Sequence, residues 1–166
     1  MNYRTILASG VTAAALAALP LLAASADSSF VVKAAEGGQA EVQMAQLAQT
    51  KASNQAVKDL ANKLVTDHTK ANDNLKPIAS KDNVTWPTGM SAKEQAEYNK
   101  LQALSGADFD RAYVNYEIKD HKQDINLFQH EANHGNDSQV KAWASENLPT
   151  LQEHLRMAEN ALSSIK

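Results

Sequence analysis

The chain has 166 residues, enough for one domain with a sizeable core, and carries 16 basic against 19 acidic side chains. This mild acidic balance, with no basic stripe interleaved with aromatics, excludes nucleic acid as a partner. There is no cysteine, which excludes disulfides, thiolate metal ligands and a bacterial lipid anchor on cysteine.

The chain opens Met1-Asn2-Tyr3-Arg4, followed by an apolar, alanine-rich run from about Thr5 to Ala24 and then Ala24-Ser25-Ala26. One early positive charge, an apolar segment and a small-x-small tripeptide read as a secretory signal peptide over residues 1–26, cut after Ala26. A membrane anchor is the competing reading. The weak hydrophobicity of alanine and the lack of a following basic stop-transfer cluster speak against it. Cleavage removes Arg4 and no acid, leaving 15 basic against 19 acidic residues in the domain of residues 27–166. No transmembrane span is expected after cleavage. The expected location is the periplasm, with outer-membrane association left open.

Apolar spacing in the exported part is helical throughout, without strand alternation. A first helix spans about Ser28 to Lys51 and puts Phe30, Ala34, Glu41, Ala45 and Ala48 on one face. Gly37-Gly38 inside it marks either a weak point or a close-packing point. Ser53 is the expected cap of a second helix, whose stripe is Val57, Leu60, Ala61, Leu64, Val65, His68, Ala71 and Leu75. This helix fades through Lys76-Pro77 and ends before Asp82. A long connection from about Lys81 to Ser105 contains Trp86-Pro87-Thr88-Gly89 and a short helix with a Ser91–Glu94 capping box. A second box, Ser105-Gly106-Ala107-Asp108, starts a third long helix that Gly135-Asn136 ends after His134. Asp137 or Ser138 caps the fourth, which runs to about Ile165. Pro149 removes one of its backbone hydrogen bonds, and a kink is expected near Ser145. Two tight helical hairpins joined by one long connection predict an all-α, ferritin-like four-helix bundle with a single crossover.

Each long helix carries an ionisable side chain on its apolar stripe: Glu41 on the first, His68 on the second, Glu117, His121 and Asp124 on the third, His154 on the fourth. Counted from the helix starts, Glu41, His68, His121 and His154 lie roughly 13 to 17 residues in, a slab about 6 Å thick. A single histidine on an apolar face is ordinarily hydrogen-bonded to a carbonyl or carboxylate. Four such groups at one level point to a metal site, because a buried glutamate has to be paired, protonated or metal-bound. Imidazole and carboxylate donors suit zinc, iron, manganese or copper. The rival reading is a metal-free Glu–His network that fixes helix register in an envelope interaction protein. Asp67 and Asp120 precede histidines and point about 100° away from them. With Tyr113 they form the outer layer of the candidate site, Asp67 either as a ligand's partner or as a solvated charge. No catalytic residue is assigned.

The blocks "SSFVVKAAEGGQAEVQMAQLA", "VKDLANKLVTDHTKANDNLKPIA", "LSGADFDRAYVNYEIKDHKQDINLFQHEA" and "LPTLQEHL" occur in this order over nearly all of the exported part. In these the chain resembles the exported bacterial proteins of domain-of-unknown-function family 4142. The resemblance implies a ferritin-like helical bundle in the periplasm or at the outer membrane. It implies no particular activity. The family's recurring positions are matched by Glu41, Asp67-His68, Phe109-Asp110, Asp120-His121 and His154. A di-iron carboxylate bundle would require Glu-x-x-His on two helices. Three residues before His68, His121 and His154 stand Val65, Ile118 and Leu151. A histidine-rich single-metal or atypical dinuclear site, used in metal storage, sensing or stress protection, is therefore the expectation.

One string argues for something else. His130-Glu131-Ala132-Asn133-His134 satisfies H-E-x-x-H, the zinc-protease pattern. His134 directly precedes Gly135-Asn136, however, in a last helical turn, and no strand-rich subdomain is available to support a protease cleft. A histidine there favours the negative end of the helix dipole. The string is read as a helix terminus, and the chain is not read as a zinc protease.

Overall fold

The computed structural model describes residues 26–165, whose regular secondary structure is entirely α-helical. The helices are α1 (Ala26–Lys51), α2 (Gln55–Lys81), α3 (Ala92–Gln102), α4 (Gly106–His134) and α5 (Ser138–Ser164). Apart from Ala26, the signal-peptide segment lies outside the described residues. Among them, no helix is long and apolar enough to cross a membrane.

Contacts between helix ends establish the direction of each helix. At one end, Asp27 at the start of α1 accepts hydrogen bonds from the Asn136 and Asp137 backbone N–H groups, at 3.0 and 2.7 Å. Lys81, ending α2, meets Gln139 in the first turn of α5 at the same end. At the opposite end, Asp110 in α4 accepts from the Ser53 and Asn54 N–H groups at 3.0 and 2.9 Å, and from the Ser53 hydroxyl. Asn54 also donates to the Ser164 carbonyl there. Hence α1 and α5 run one way, α2 and α4 the other. Since α2 stops at the end opposite the start of α4, residues 82–105 have to travel the length of the assembly. They carry α3, which packs on α1 and α4.

Each hairpin loop is thus pinned by an aspartate from the other hairpin. A carboxylate accepting several backbone N–H bonds makes strong, charge-assisted bonds and satisfies donors that no helix can pair. This explains why Ser53 is not the cap of α2, contrary to expectation. The cap is Asn54, whose side chain accepts from the Ala56 N–H at 2.8 Å, while the Ser53 hydroxyl is engaged by Asp110. The Ser91–Glu94 box forms in both directions. The second expected box does not: Ser105 makes no side-chain cap bond, and Gly106 enters the helix at φ 57°. Asp137 caps α5 through the Gln139 and Val140 N–H groups. Helix α2 continues through Pro77 and α5 through Pro149.

Apolar side chains gather in two clusters. Met44, Leu60, Leu64, Phe109, Tyr113 and Val114 fill the Asp110 end, and Phe30, Val31, Leu75, Phe128, Trp143 and Leu151 fill the Asp27 end. Phe30, Phe128 and Trp143 meet at centroid distances of 5.1 to 6.0 Å. Burying each such side chain contributes on the order of 1.5–3 kcal/mol. The stripes read from the sequence contribute to both clusters, through Val57, Leu60, Ala61 and Leu64 in one and Phe30, Ala34 and Leu75 in the other, whereas Met44, Phe109, Val114, Val140 and Trp143 lie outside them.

Helix α1 runs uninterrupted through Gly37-Gly38, and the two glycines differ. A Cβ on Gly37 would meet nothing within 4 Å, whereas one on Gly38 would collide with the buried Asn72 side-chain oxygen. Gly38 is the close-packing point. Gly37→Ala should therefore stabilise the protein by about 0.5–1 kcal/mol through helix propensity. Gly38→Ala should give no gain, because displacing Asn72 offsets the same benefit. Urea denaturation of the two variants checks the contrast.

Candidate metal centre

Between the two apolar clusters, near the midpoint of every long helix, lies a layer of polar groups. Glu41, Glu117, His121 and His154 are at most 2 % exposed, and His68 is 7 % exposed. Two donor groups stand out: His68 with His121 and His154, and Glu41 with Glu117 and His121. In each, one ligand atom per residue lies within 4.8 Å of the others. The structure brings together five of the six residues singled out as ligands. The sixth, Asp124, is half-buried and lies beside this layer, in neither group.

The protonation of the histidines follows from their outer partners. His121 Nδ1 lies 3.0 Å from the Glu117 carbonyl, which can only accept, so Nδ1 carries the hydrogen. His154 Nε2 lies 2.8 Å from the Asp67 carboxylate and carries its hydrogen for the same reason. Burial and the neighbouring His154 hold His121 down to about 3, and burial likewise lowers His154 against the opposing pull of Asp67. Both rings are then neutral, with bare lone pairs on their inner nitrogens. Those nitrogens, His121 Nε2 and His154 Nδ1, face each other at 3.3 Å. Two lone pairs so placed repel unless a cation stands between them. The edge of a tetrahedron of Zn–N bonds about 2.0–2.1 Å long is about 3.3–3.4 Å. His68 completes the trio. Its Nε2 is buried without a hydrogen-bond partner, 3.9 Å from Glu41 Oε2, and burial with the two other histidines pushes its basicity well down.

The carboxylates are equally unfinished. All four side-chain oxygens of Glu41 and Glu117 are buried without a hydrogen-bond partner. Burial, followed by Glu117 and Asp120, raises Glu41 well above the carboxylate range. Burial pushes Glu117 up to about 8, partly offset by Glu41 and Tyr113. Asp124 also reaches about 8 through burial and the nearby Asp120. Asp120 is half-buried and raised by burial, although a contact with Glu41 acts the other way. Tyr113 is fully buried, and its hydroxyl makes no hydrogen bond.

Asp67 is the outer residue that the structure resolves most clearly. Burial raises its carboxyl, but Lys63 at 2.8 Å and His154 outweigh that and lower it. It is the hydrogen-bond partner of His154, and the choice between such a role and a solvated charge depends on the position of α5. In the H-E-x-x-H string, His130 and His134 are exposed while Glu131 is buried away from them. Burial, followed by Asp27, raises Glu131. His134 is the last residue of α4, as the sequence indicated.

These shifts set a pH dependence for the metal-free protein. Glu117 and Asp124 stay protonated to about pH 8 when folded but ionise near their ordinary values of 4.5 and 3.8 when unfolded. The stability they contribute is present at low pH and is lost as pH rises through 8. His121 has the opposite sign, since it remains neutral down to about 3 when folded but charges near 6.5 when unfolded. It destabilises the fold as pH falls below 6.5. Between pH 6.5 and 8 only the carboxylates act. Stability in the presence of chelator should drop there by about 1.4 kcal/mol per pH unit for each retained proton. Urea titrations across that window measure the slope, and a flat profile would show the carboxylates ionised in the folded state.

Over residues 11–161 the sequence matches the family model described as Domain of unknown function (DUF4142). The chain belongs to the DUF4142 family. Its fold is similar to that of a DUF305 fragment from Deinococcus radiodurans, with TM-score 0.73 and 14% identity over 82% of this chain and 95% of that one. A DUF305 protein from Streptomyces coelicolor gives TM-score 0.71 and 15% identity over 84% and 93% of the two chains. A conserved hypothetical protein, rv2844, from Mycobacterium tuberculosis gives 0.65 and 15% over 83% and 91%. At such identities the likeness concerns the fold alone. No functionally curated protein matches this DUF4142 chain.

Proposed function

We propose that this DUF4142 protein is an exported, ferritin-like helical bundle of the bacterial periplasm that binds a transition metal at mid-bundle, in metal storage, sensing or stress protection. The ferritin-like reading is supported by the two antiparallel hairpins and the single connection that crosses the bundle between them. Export is supported by the signal-like sequence of residues 1–26. The metal reading is carried by one observation: two inner imidazole nitrogens, whose rings are kept neutral by burial and carry their hydrogens on the outer nitrogens, face each other at 3.3 Å. The ligands are His68, His121 and His154 together with Glu41 and Glu117. Asp124, Asp120 and Tyr113 surround them, and Asp67 orients His154. Second partners of this kind are what tune and orient metal-binding histidines.

A network that served packing alone would be closed, since a half-satisfied buried polar network is worse than an apolar core. Here Glu41, Glu117 and His68 leave five buried side-chain atoms without partners. Nitrogen and oxygen donors without sulfur suit zinc, iron, manganese or copper. Metal analysis of the exported protein, purified without a histidine tag, should find roughly one equivalent per chain. Less than about a tenth of an equivalent, unchanged by supplementing the growth medium with these metals, would overturn the reading.

A further inference from the structure

His68 and His154 border a small cavity of about 20 Å³, whose wall also includes Asp67 and Asp124. That is room for about one water molecule. Neither Glu41 nor Glu117 lines it, so it lies on a side of the polar layer away from those two carboxylates. His68 Nε2 is buried without a hydrogen-bond partner, and the void beside this residue has room for one further small ligand on a metal that it holds. Outside the cavity, a groove of about 590 Å³ runs between α2 and α5. Groove and cavity share Asp67, Ala71, Trp143, Asn147 and Thr150 as lining residues.

We propose that a metal held by His68, His121 and His154 keeps an exchangeable coordination position facing this cavity, filled by water or one small anion that enters from the α2–α5 groove. The inference rests on the metal-binding reading above. The three imidazoles with Glu41 and Glu117 give at most five donor groups, which leaves a six-coordinate ion one position free, and the cavity that neither glutamate lines is where that position faces. Ala71 and Thr150 lie at the passage, and the negative charge of Asp67 stands at its inner end beside His154.

The test uses the protein of residues 27–166 loaded with Co²⁺, whose visible bands report on coordination, titrated with azide. Saturable band shifts are expected. Ala71→Leu, which fills the shared wall from a helical position, should weaken or slow azide binding at least about tenfold while Co²⁺ uptake and helical circular dichroism stay unchanged. Thr150→Leu fills the same shared wall from the facing helix and should act in the same direction, and it decides the matter alone if Ala71→Leu does not fold. Bands that ignore azide in the unmodified protein overturn the open position. Equal azide affinity and rate in the folded wall variants overturn the entry route. Absence of any Co²⁺ uptake sinks the metal reading itself, a result distinct from Co²⁺ bound but blind to azide.

Discussion

Zinc added at a thousandfold excess over its dissociation constant should stabilise the folded protein by about 4 kcal/mol, because it binds the native chain and not the dispersed donors of the unfolded one. For a domain of this size that corresponds to a rise in Tm of roughly 10 °C. The variant that isolates the cause is His121→Ala. His121 is common to both donor groups, and its Nε2 forms one side of the 3.3 Å pair. The rise should vanish in that variant, whatever the variant costs in the absence of metal. Calorimetry with and without zinc, and with chelator as control, reads the difference. An equal rise in both proteins would place the metal elsewhere. The exposed pair His130 and His134, with ring centroids 4.9 Å apart, is the first place to look.

Replacing Glu41 and Glu117 together by methionine should stabilise the metal-free protein by about 1–4 kcal/mol and shrink the stabilisation by zinc. Both side chains are essentially without exposure, and all their oxygens lack partners. Buried ionisable groups replaced as a set by apolar residues of similar volume often increase stability, whereas removing one partner leaves the other uncompensated. The double variant is therefore the informative one. Chemical denaturation with chelator present, compared with the zinc-loaded state, separates the two effects. A structural Glu–His network predicts the reverse sign, a loss of stability with no metal dependence. Buried groups that weaken the empty fold and strengthen the loaded one are what a binding site demands of its host.

Most of the helical framework was legible before any coordinates. Periodicity placed the four long helices because an amphipathic stripe repeats every 3.6 residues whatever it packs against. Caps that act within one turn, such as Ser91 with Glu94 and Asp137 ahead of α5, were legible for the same reason. The misjudged caps have non-local causes. Ser53 surrendered its hydroxyl to Asp110, 57 residues away in sequence, and no local pattern announces that contact. Asp27 and Asp110 were overlooked as loop pins because an aspartate that serves a distant loop is indistinguishable in sequence from one in water. Glu131 was seen only as part of a motif, and its burial depends on how α1 begins beside the α4–α5 loop.

The candidate centre divides along the same line. Sequence alone determined that Glu41, His68, His121 and His154 sit on apolar faces at one height, since rise per residue and helix length are local quantities. It also carried the family, in blocks spread over residues 28–155. Tertiary structure decided which nitrogen of His154 holds its hydrogen, because the Asp67 carboxylate that orients it comes from a different helix. It decided that His121 and His154 confront one another at 3.3 Å, that Asp124 stays to one side, and that a one-water cavity touches His68 and His154. Height along a helix is set by the chain itself. Rotation about its axis and the identity of the facing side chain are set by packing against the other three helices, and the chemistry of the centre resides in those facing atoms.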